Sequence, residues 1–129
     1  MKNLLTALVC TVLTFSAGTA IAHPELTAST PAANSTVASS NRIELRFSEP
    51  VMLRFPGADL TMTTMMMRGR MTAMPMHING VTAALSPNDP KTLVLTTQRS
   101  LAPGGYRLNW HAVANDTHRV TGTLNFSVR

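Results

Sequence analysis

Asp116 and His118 have side-chain types and a spacing that suit the binding of a metal ion. They are two residues apart, and in an extended chain the side chains at i and i+2 point to the same side. A carboxylate and an imidazole presented together can share one metal ion. The same spacing also occurs in turns, where the aspartate caps the turn and the histidine is solvated. The pair therefore needs a further donor before it indicates a site.

That donor is supplied by the amino-terminal segment, which has the layout of a secretory signal peptide. Lys2 is followed by an apolar stretch from Leu4 to Phe15, and residues 20–22 read Ala-Ile-Ala, a pattern that signal peptidase recognises. The apolar stretch is shorter than the roughly 20 residues that a membrane span needs. We therefore expect residues 1–22 to be a signal peptide. Residues 23–129 would form one exported domain without membrane insertion, periplasmic in a Gram-negative cell.

Cleavage after Ala22 would make His23 the first residue, with a free α-amine beside its imidazole. Those two nitrogens can close a chelate ring on one metal ion, and reference pKa values of about 8 and about 6.5 leave only modest proton competition at neutral pH. Pro24 lacks the peptide N–H that Cu2+ often displaces in free N-terminal peptides, so further ligands must come from elsewhere in the chain. Together with Asp116 and His118, this set suits Cu2+, with Zn2+ as the chemical competitor.

Methionine is concentrated in one segment. Seven of the nine methionines lie at positions 62–76, and His77 follows directly. A thioether is a soft, uncharged donor, so several thioethers around one ion favour Cu+ over Cu2+ or Zn2+. Methionine is also a common core filler, which is the expectation for Met62, but Gly69, Pro75 and the neighbouring arginines predict an exposed loop. The candidate Cu+ ligands are Met65, Met67, Met71, Met74, Met76 and His77.

The rest of the chain alternates apolar and polar residues with the period of two that half-buried β-strands require. Residues 43–47 and 124–128 show this alternation clearly, whereas residues 86–90 and 103–105 have the composition of turns. Tyr106, placed just after Pro-Gly-Gly, resembles the tyrosine corner of immunoglobulin-like sandwiches. The pattern predicts an all-β fold, a small immunoglobulin-like Greek-key barrel or sandwich of about seven strands.

Composition excludes several classes of protein. Charged residues make up 13% of the 129-residue chain and hydrophobic residues 44%, which is unlike a coiled coil or a disordered polymer, and the length rules out a multidomain enzyme. The formal net charge is +5, but the basic residues are spread along the chain in ones and twos. Nucleic acid is therefore not an expected partner.

Several segments together are similar to CopC-type periplasmic copper-resistance proteins, and this resemblance covers essentially all of residues 23–129. The segments that carry it are His23-Pro24-Glu25-Leu26, Ser29-Thr30-Pro31-Ala32, residues 43–49, the Met-rich segment, residues 89–92, and Trp110-His111-Ala112-Val113 leading into Asp116-Thr117-His118 and Thr121-Gly122. The Met-rich segment departs from the family pattern, because Met65-Met66-Met67 are bunched and then interrupted by Arg68-Gly69-Arg70. Which thioethers bind is therefore left open.

The resemblance implies a small Greek-key β-barrel that carries separate Cu2+ and Cu+ sites. It further implies that copper moves between periplasmic and membrane partners, such as an inner-membrane copper transporter or another periplasmic copper protein. By position it implies His23, Asp116 and His118 as Cu2+ ligands, with Glu49 a weaker candidate nearby. The Met-rich segment with His77 would hold Cu+.

The sequence thus predicts a copper-binding carrier that is not an enzyme, since no cysteine follows residue 22 and no Ser, His and acid grouping stands out. Two alternatives stay open. An amino-terminal His with a second His also resembles the histidine brace of lytic polysaccharide monooxygenases, although Trp110 and Tyr106 are too few for a flat sugar-binding face. The other alternative is an immunoglobulin-like interaction module without metal. His111 alternates with Trp110 and is expected to face solvent, outside the ligand set.

Overall fold

The computed structural model describes residues 23–129, with the exception of the side chains of residues 53–56. The expected signal peptide lies outside the described residues. Residues 23–129 contain no helix, and their strands are Leu26–Thr30 (β1), Thr36–Val37 (β2), Arg42–Phe47 (β3), Val51–Met67 (β4), Arg70–Ile78 (β5), Thr82–Ser86 (β6), Asp89–Thr96 (β7), Gly104–Ala114 (β8) and Arg119–Val128 (β9).

These strands form two sheets. One has the strand order β1-β3-β7-β6, and the other has the order β2-β9-β8-β4-β5. Adjacent strands are antiparallel except for β2 and β9. The chain passes repeatedly from one sheet to the other, which is typical of Greek-key sandwiches. The predicted all-β sandwich is confirmed, with nine strands in the described residues rather than about seven.

The core lies between the sheets and follows the predicted alternation. Ile43, Leu45 and Phe47 on β3 are at most 1% exposed, and they face the inward residues of the other sheet. The ring of Phe47 meets the indole of Trp110 edge to face, with their centroids 5.1 Å apart. Burial of these alternate side chains fixes the register, because a slip of one residue would expose all of them.

The segment expected to be a Met-rich loop is instead a β-hairpin, which we call the Met hairpin (residues 60–78). β4 and β5 pair along it up to Met67 and Arg70, and Arg68 and Gly69 form the turn with φ of 48° and 76°. Methionine fills both faces of the ribbon, so the run Met65-Met66-Met67 has no period of two. The expectation of a loop was wrong because the sequence contained no alternation from which strands could be recognised.

Tyr106 occupies the corner predicted for it. Its hydroxyl donates a hydrogen bond to the Ala102 carbonyl at 2.7 Å, and its ring stacks on Phe126 with a centroid separation of 5.5 Å. Burial raises the pKa of Tyr106, so the hydroxyl stays a donor. The bond ties the connection that precedes β8 to the strand itself.

Replacing Tyr106 with phenylalanine should remove this tie while keeping the packed ring. We expect Tyr106→Phe to lower the free energy of unfolding by about 0.5–1.5 kcal/mol, the net contribution of one hydrogen bond. Urea denaturation of the wild type and the variant, with equal slopes, measures the difference. Coincident midpoints would mean that the hydroxyl contributes nothing to stability.

Candidate metal centres

His23, Asp116 and His118 come together at one end of the sandwich. One potential ligand atom from each residue lies within 4.8 Å of those of the other two, and all three residues are exposed. The rings of His23 and His118 stand edge to face with their centroids 5.4 Å apart. Within residues 23–129, no other group of three histidine, cysteine or acidic side chains meets this distance. The structure thus brings together the three residues predicted to bind Cu2+.

Asp116 and His118 are positioned by the turn between β8 and β9. The turn is closed by the bond from Ala114 N–H to the His118 carbonyl at 2.8 Å and by the bond from Thr117 N–H to the Ala114 carbonyl at 2.9 Å. Thr117 has a φ of 72°, the left-handed conformation that reverses the chain. This reversal places the residues on either side of Thr117 next to each other at the tip.

The carboxylate of Asp116 orients His118. One oxygen accepts the backbone N–H of His118 at 3.1 Å, and the other lies 2.8 Å from Nδ1 of its ring. These two hydrogen bonds hold the pKa of Asp116 below its usual value, the ring contact being the larger cause. Because Nδ1 is engaged, Nε2 is the ring nitrogen of His118 that is available to a metal ion.

His23 is held beside this turn by the start of β1. The N–H of Glu25 donates to the Ser48 hydroxyl at 3.0 Å, and the N–H of Ser48 donates to the Glu25 carbonyl at 2.8 Å. Pro24 is buried between His23 and this pair of bonds. These bonds attach Glu25, two residues after His23, to the end of β3. They therefore restrict the positions that the His23 imidazole can take.

The Met hairpin divides the predicted Cu+ ligands between its two faces. Met62 is 1% exposed and belongs to the core, as predicted, and its cross-strand neighbour is Met76. Met65 pairs with Thr72 beyond a register shift, in which residues 62–64 of β4 lie opposite residues 73–76 of β5, and it packs on the same core. We call this side of the hairpin the inner face. Regular pairing beyond Met65 also places Met67 there, whereas Met74 lies within the register shift between the two strands.

The inner face borders a groove of about 450 Å³ at the end of the sandwich. Met65 and Met76 line it beside Tyr106 and Leu101, and the connection from β7 to β8 forms its far wall. Two of the predicted Cu+ ligands thus line the same groove.

Met71 and His77 lie on the opposite side, the outer face. Met71 is the cross-strand neighbour of Met66, and both are 49% exposed. His77 pairs with Thr61 and reaches diagonally to Asp59, with its Nδ1 2.7 Å from a carboxylate oxygen. The structure does not bring these two residues to the groove.

β8 separates the two candidate centres. Met65 lies opposite Gly104, the first residue of β8, whereas the turn that carries Asp116 follows its last residue, Ala114. Eleven residues of strand, at about 3.3 Å each, place the centres on the order of 30 Å apart. A single metal ion cannot contact both.

Two residues considered in the sequence stay outside the histidine and aspartate group. Glu49 is exposed near the end of β3 but is absent from that group, and His111 is half-buried on β8. The His111 ring occupies the space that a side chain at Gly57 would fill. Asp59 was not among the residues predicted from the sequence to belong to a site. The signal was available, because Asp59 is the only carboxylate between Glu49 and Asp89 and so the only local partner for His77.

Comparisons with known proteins identify the family of this chain. Residues 26–129 match the family model described as the CopC domain. The chain belongs to the CopC family. Copper resistance protein C of Escherichia coli is 44% identical over 111 residues, which are 85% of this chain and 84% of that protein. The protein of the same name from Pseudomonas syringae pv. tomato is 43% identical over 108 residues, 84% of this chain and 82% of that protein.

A solved structure matches as well. The crystal structure of PcoC, a methionine-rich copper resistance protein from Escherichia coli, superposes with a TM-score of 0.72 at 42% identity. The match covers 84% of this chain and 100% of the PcoC chain. Within residues 23–129, this CopC-family chain has no helix long and apolar enough to cross a membrane.

Proposed function

We propose that this CopC-family protein is a periplasmic copper-binding carrier in copper resistance or homeostasis, with a Cu2+ site at the mature amino terminus and a Cu+ site on the Met hairpin. The observation that carries the proposal is the convergence of His23, Asp116 and His118 within 4.8 Å. Two imidazoles and a carboxylate from distant parts of the chain meet at an exposed corner, where they add no core packing. The names of the curated relatives support copper as the ion.

The amino-terminal centre suits Cu2+ in its donor chemistry. Removal of residues 1–22 would add an α-amine to the imidazole of His23, and these two nitrogens would chelate the ion. His118 would supply Nε2, and Asp116 would supply a carboxylate oxygen to the cation as well as orient that ring. Nitrogen-rich sets of this kind bind Cu2+ most strongly among the divalent first-row ions.

The Met hairpin suits Cu+ for the opposite reason. Its thioethers are soft and uncharged, and Met67, Met74 and Met76 are 50%, 39% and 41% exposed. A buried structural role would have covered these side chains. Exposed thioethers instead allow Cu+ to pass to a partner, such as an inner-membrane transporter or another periplasmic copper protein, by exchange of one ligand at a time.

Removal of one imidazole tests the Cu2+ site. His118→Ala should weaken Cu2+ binding by more than the roughly 10–100-fold that loss of an outer-shell contact costs, while Cu+ binding stays unchanged. Quenching of the single tryptophan, Trp110, and competition with a chelator measure Cu2+ affinity in the processed protein. His77→Ala is the matched control, because it removes an exposed histidine from a different part of the same sheet.

Equal Cu2+ affinity in His118→Ala and the wild type would contradict the proposed site. Ascorbate-driven peroxide production well above a free-copper control would instead favour the histidine-brace oxygenase. A processed protein whose melting temperature does not respond to copper would favour the interaction module without metal.

A further inference from the structure

We propose that one end of the sandwich, which we call the hairpin end (the Met hairpin and residues 97–107), docks on an anionic phospholipid surface. Arginine side chains would bind the lipid phosphates, and exposed methionine side chains would enter the headgroup layer. This contact is independent of copper and goes beyond the proposed function. Three features carry it: the arginines that the fold gathers, the position of the acidic residues and the apolar tip of the hairpin.

The fold brings together arginines that are spread along the sequence. Arg68 and Arg70 lie at the turn of the Met hairpin, Arg99 lies in the connection from β7 to β8, and Arg107 lies near the start of β8. The start of β8 pairs with β4 at the base of that turn, so all four belong to the hairpin end. All four are exposed, and none forms an ion pair with another described residue.

The acidic residues of the chain lie elsewhere. Of the six, Glu44 and Asp59 lie within strands and are already paired with Arg42 and His77, each at 2.7 Å. The other four lie toward the opposite end, which carries the amino-terminal corner: Glu25, Glu49, Asp89 and Asp116. Charge is therefore distributed unevenly along the strands, and an anionic surface would attract the hairpin end first.

The tip of the Met hairpin adds apolar side chains to this charge. Met66, Met67 and Met71 are 49%, 50% and 49% exposed, and they lie beside the two arginines of the turn. β4 continues past its last pair with β8, so the tip extends beyond the neighbouring strand. Methionine is unbranched and adapts to irregular surroundings. Basic and apolar side chains presented together are what proteins use to bind at the interface of a membrane.

The arrangement favours a lipid surface over an acidic protein. The four arginines come from three separate segments and do not surround one pocket. A guanidinium binds a phosphate through two parallel hydrogen bonds. Lipid headgroups can move to meet each arginine, whereas a folded protein must hold its carboxylates at matching positions. Diffuse charge around a flexible apolar tip therefore fits a fluid anionic layer.

Vesicle binding tests the docking directly. The copper-free processed protein would be sedimented with vesicles of phosphatidylglycerol and phosphatidylcholine, and separately with vesicles of phosphatidylcholine alone. We expect binding to the anionic vesicles only. It should weaken as NaCl is raised, because salt screens the attraction between exposed charges.

Charge variants locate the contact on the protein. Arg68→Gln and Arg70→Gln should each lower partitioning onto the anionic vesicles by about fivefold, the effect of one basic residue near such a surface. Arg119→Gln is the matched control, because it makes the same substitution at an exposed arginine at the opposite end of the sandwich. Its partitioning should stay within about twofold of the wild type. Circular dichroism would verify that each variant keeps its strands.

A fluorescent label supplies the orientation of the bound protein. No cysteine follows residue 22, so one introduced cysteine carries the only label on the processed chain. An environment-sensitive dye on Met67→Cys should shift to shorter wavelength on anionic vesicles and be quenched by a lipid-borne quencher. The same dye on Asn115→Cys, in the turn between β8 and β9, should do neither.

The contrary outcomes are distinct from one another. Absence of salt-sensitive binding to the anionic vesicles would overturn the docking. Equal losses in Arg68→Gln and Arg119→Gln, or equal responses of the two labels, would overturn its assignment to the hairpin end. Binding to soluble polyglutamate without binding to vesicles would replace the lipid surface by an acidic protein. Because the protein is free of copper throughout, none of these results bears on the proposed copper sites.

Discussion

One extra residue ahead of His23 should weaken Cu2+ binding by roughly 100- to 10,000-fold, the range gained when a second donor is held on the same molecule. The added residue converts the α-amine into a peptide nitrogen, so His23 keeps its imidazole but loses the chelate ring. The other two ligands are untouched, because the β8–β9 turn is held by its own bonds. The site would fall from four donors to three.

The measurement compares two proteins whose first residues are established by mass spectrometry. One begins at His23, and the other carries a single alanine before it. Cu2+ affinity is measured in each by chelator competition and by quenching of Trp110. Cu+ affinity serves as the internal control, since the Met hairpin lies at the other end of β8. Equal Cu2+ affinity in the two proteins would eliminate the α-amine as a ligand and with it the proposed role of signal cleavage.

The residues of the proposed Cu2+ centre were predictable from sequence because each has a local signature. The small-x-small pattern predicts a cleavage point before His23, and the spacing of Asp116 and His118 predicts two donors on one side of the chain. Their meeting was not predictable from these signatures. It depends on the bonds between Glu25 and Ser48, which join the start of β1 to the end of β3 over a separation of 23 residues.

The Met hairpin illustrates why part of the second centre could not be predicted. A strand is recognised by alternation, and a run of three methionines has none. Because no strands could be recognised in this segment, the register between them could not be predicted. Met71 and Met76 were therefore equivalent candidates for Cu+ ligands. The pairing of Met62 with Met76 and of Met66 with Met71 separates them. The partner of His77 was hidden for the same reason, because Asp59 reaches it across two strands rather than along the chain.

The placement of the two candidate centres has a physical consequence for the proposed copper binding. The amino-terminal corner is built on a tight turn and on the first residues of β1, whereas the Met hairpin is the exposed edge of the five-stranded sheet. Each centre is therefore attached to the core through different strands. Substitutions at one centre should not couple energetically to the other, since distant sites without shared partners give additive effects.

Among the glycines near the Met hairpin, Gly104 is the one whose replacement should lower the free energy of unfolding the most. Its φ is +157°, and a Cβ built there would lie 2.2 Å from the carbonyl oxygen of Thr64. Both that atom and the nearby Cα of Met65 belong to the backbone of β4, so no side-chain rotation can relieve the contact. We expect Gly104→Ala to lower the free energy of unfolding by about 3 kcal/mol or more, from backbone strain and overpacking together.

Gly69 provides the matched control for this substitution. It also has a positive φ, +76°, but nothing lies within 4 Å of the position that its Cβ would take. Gly69→Ala should therefore lower the free energy of unfolding by about 1–2 kcal/mol, the cost of placing a residue with a Cβ in the left-handed conformation. Urea denaturation of both variants separates the two contributions, and equal losses would mean that the contact between β4 and β8 relaxes without cost.

Because the contact adjoins Met65, Gly104→Ala should also weaken Cu+ binding in whatever fraction remains folded, while Cu2+ binding at the far end of β8 persists.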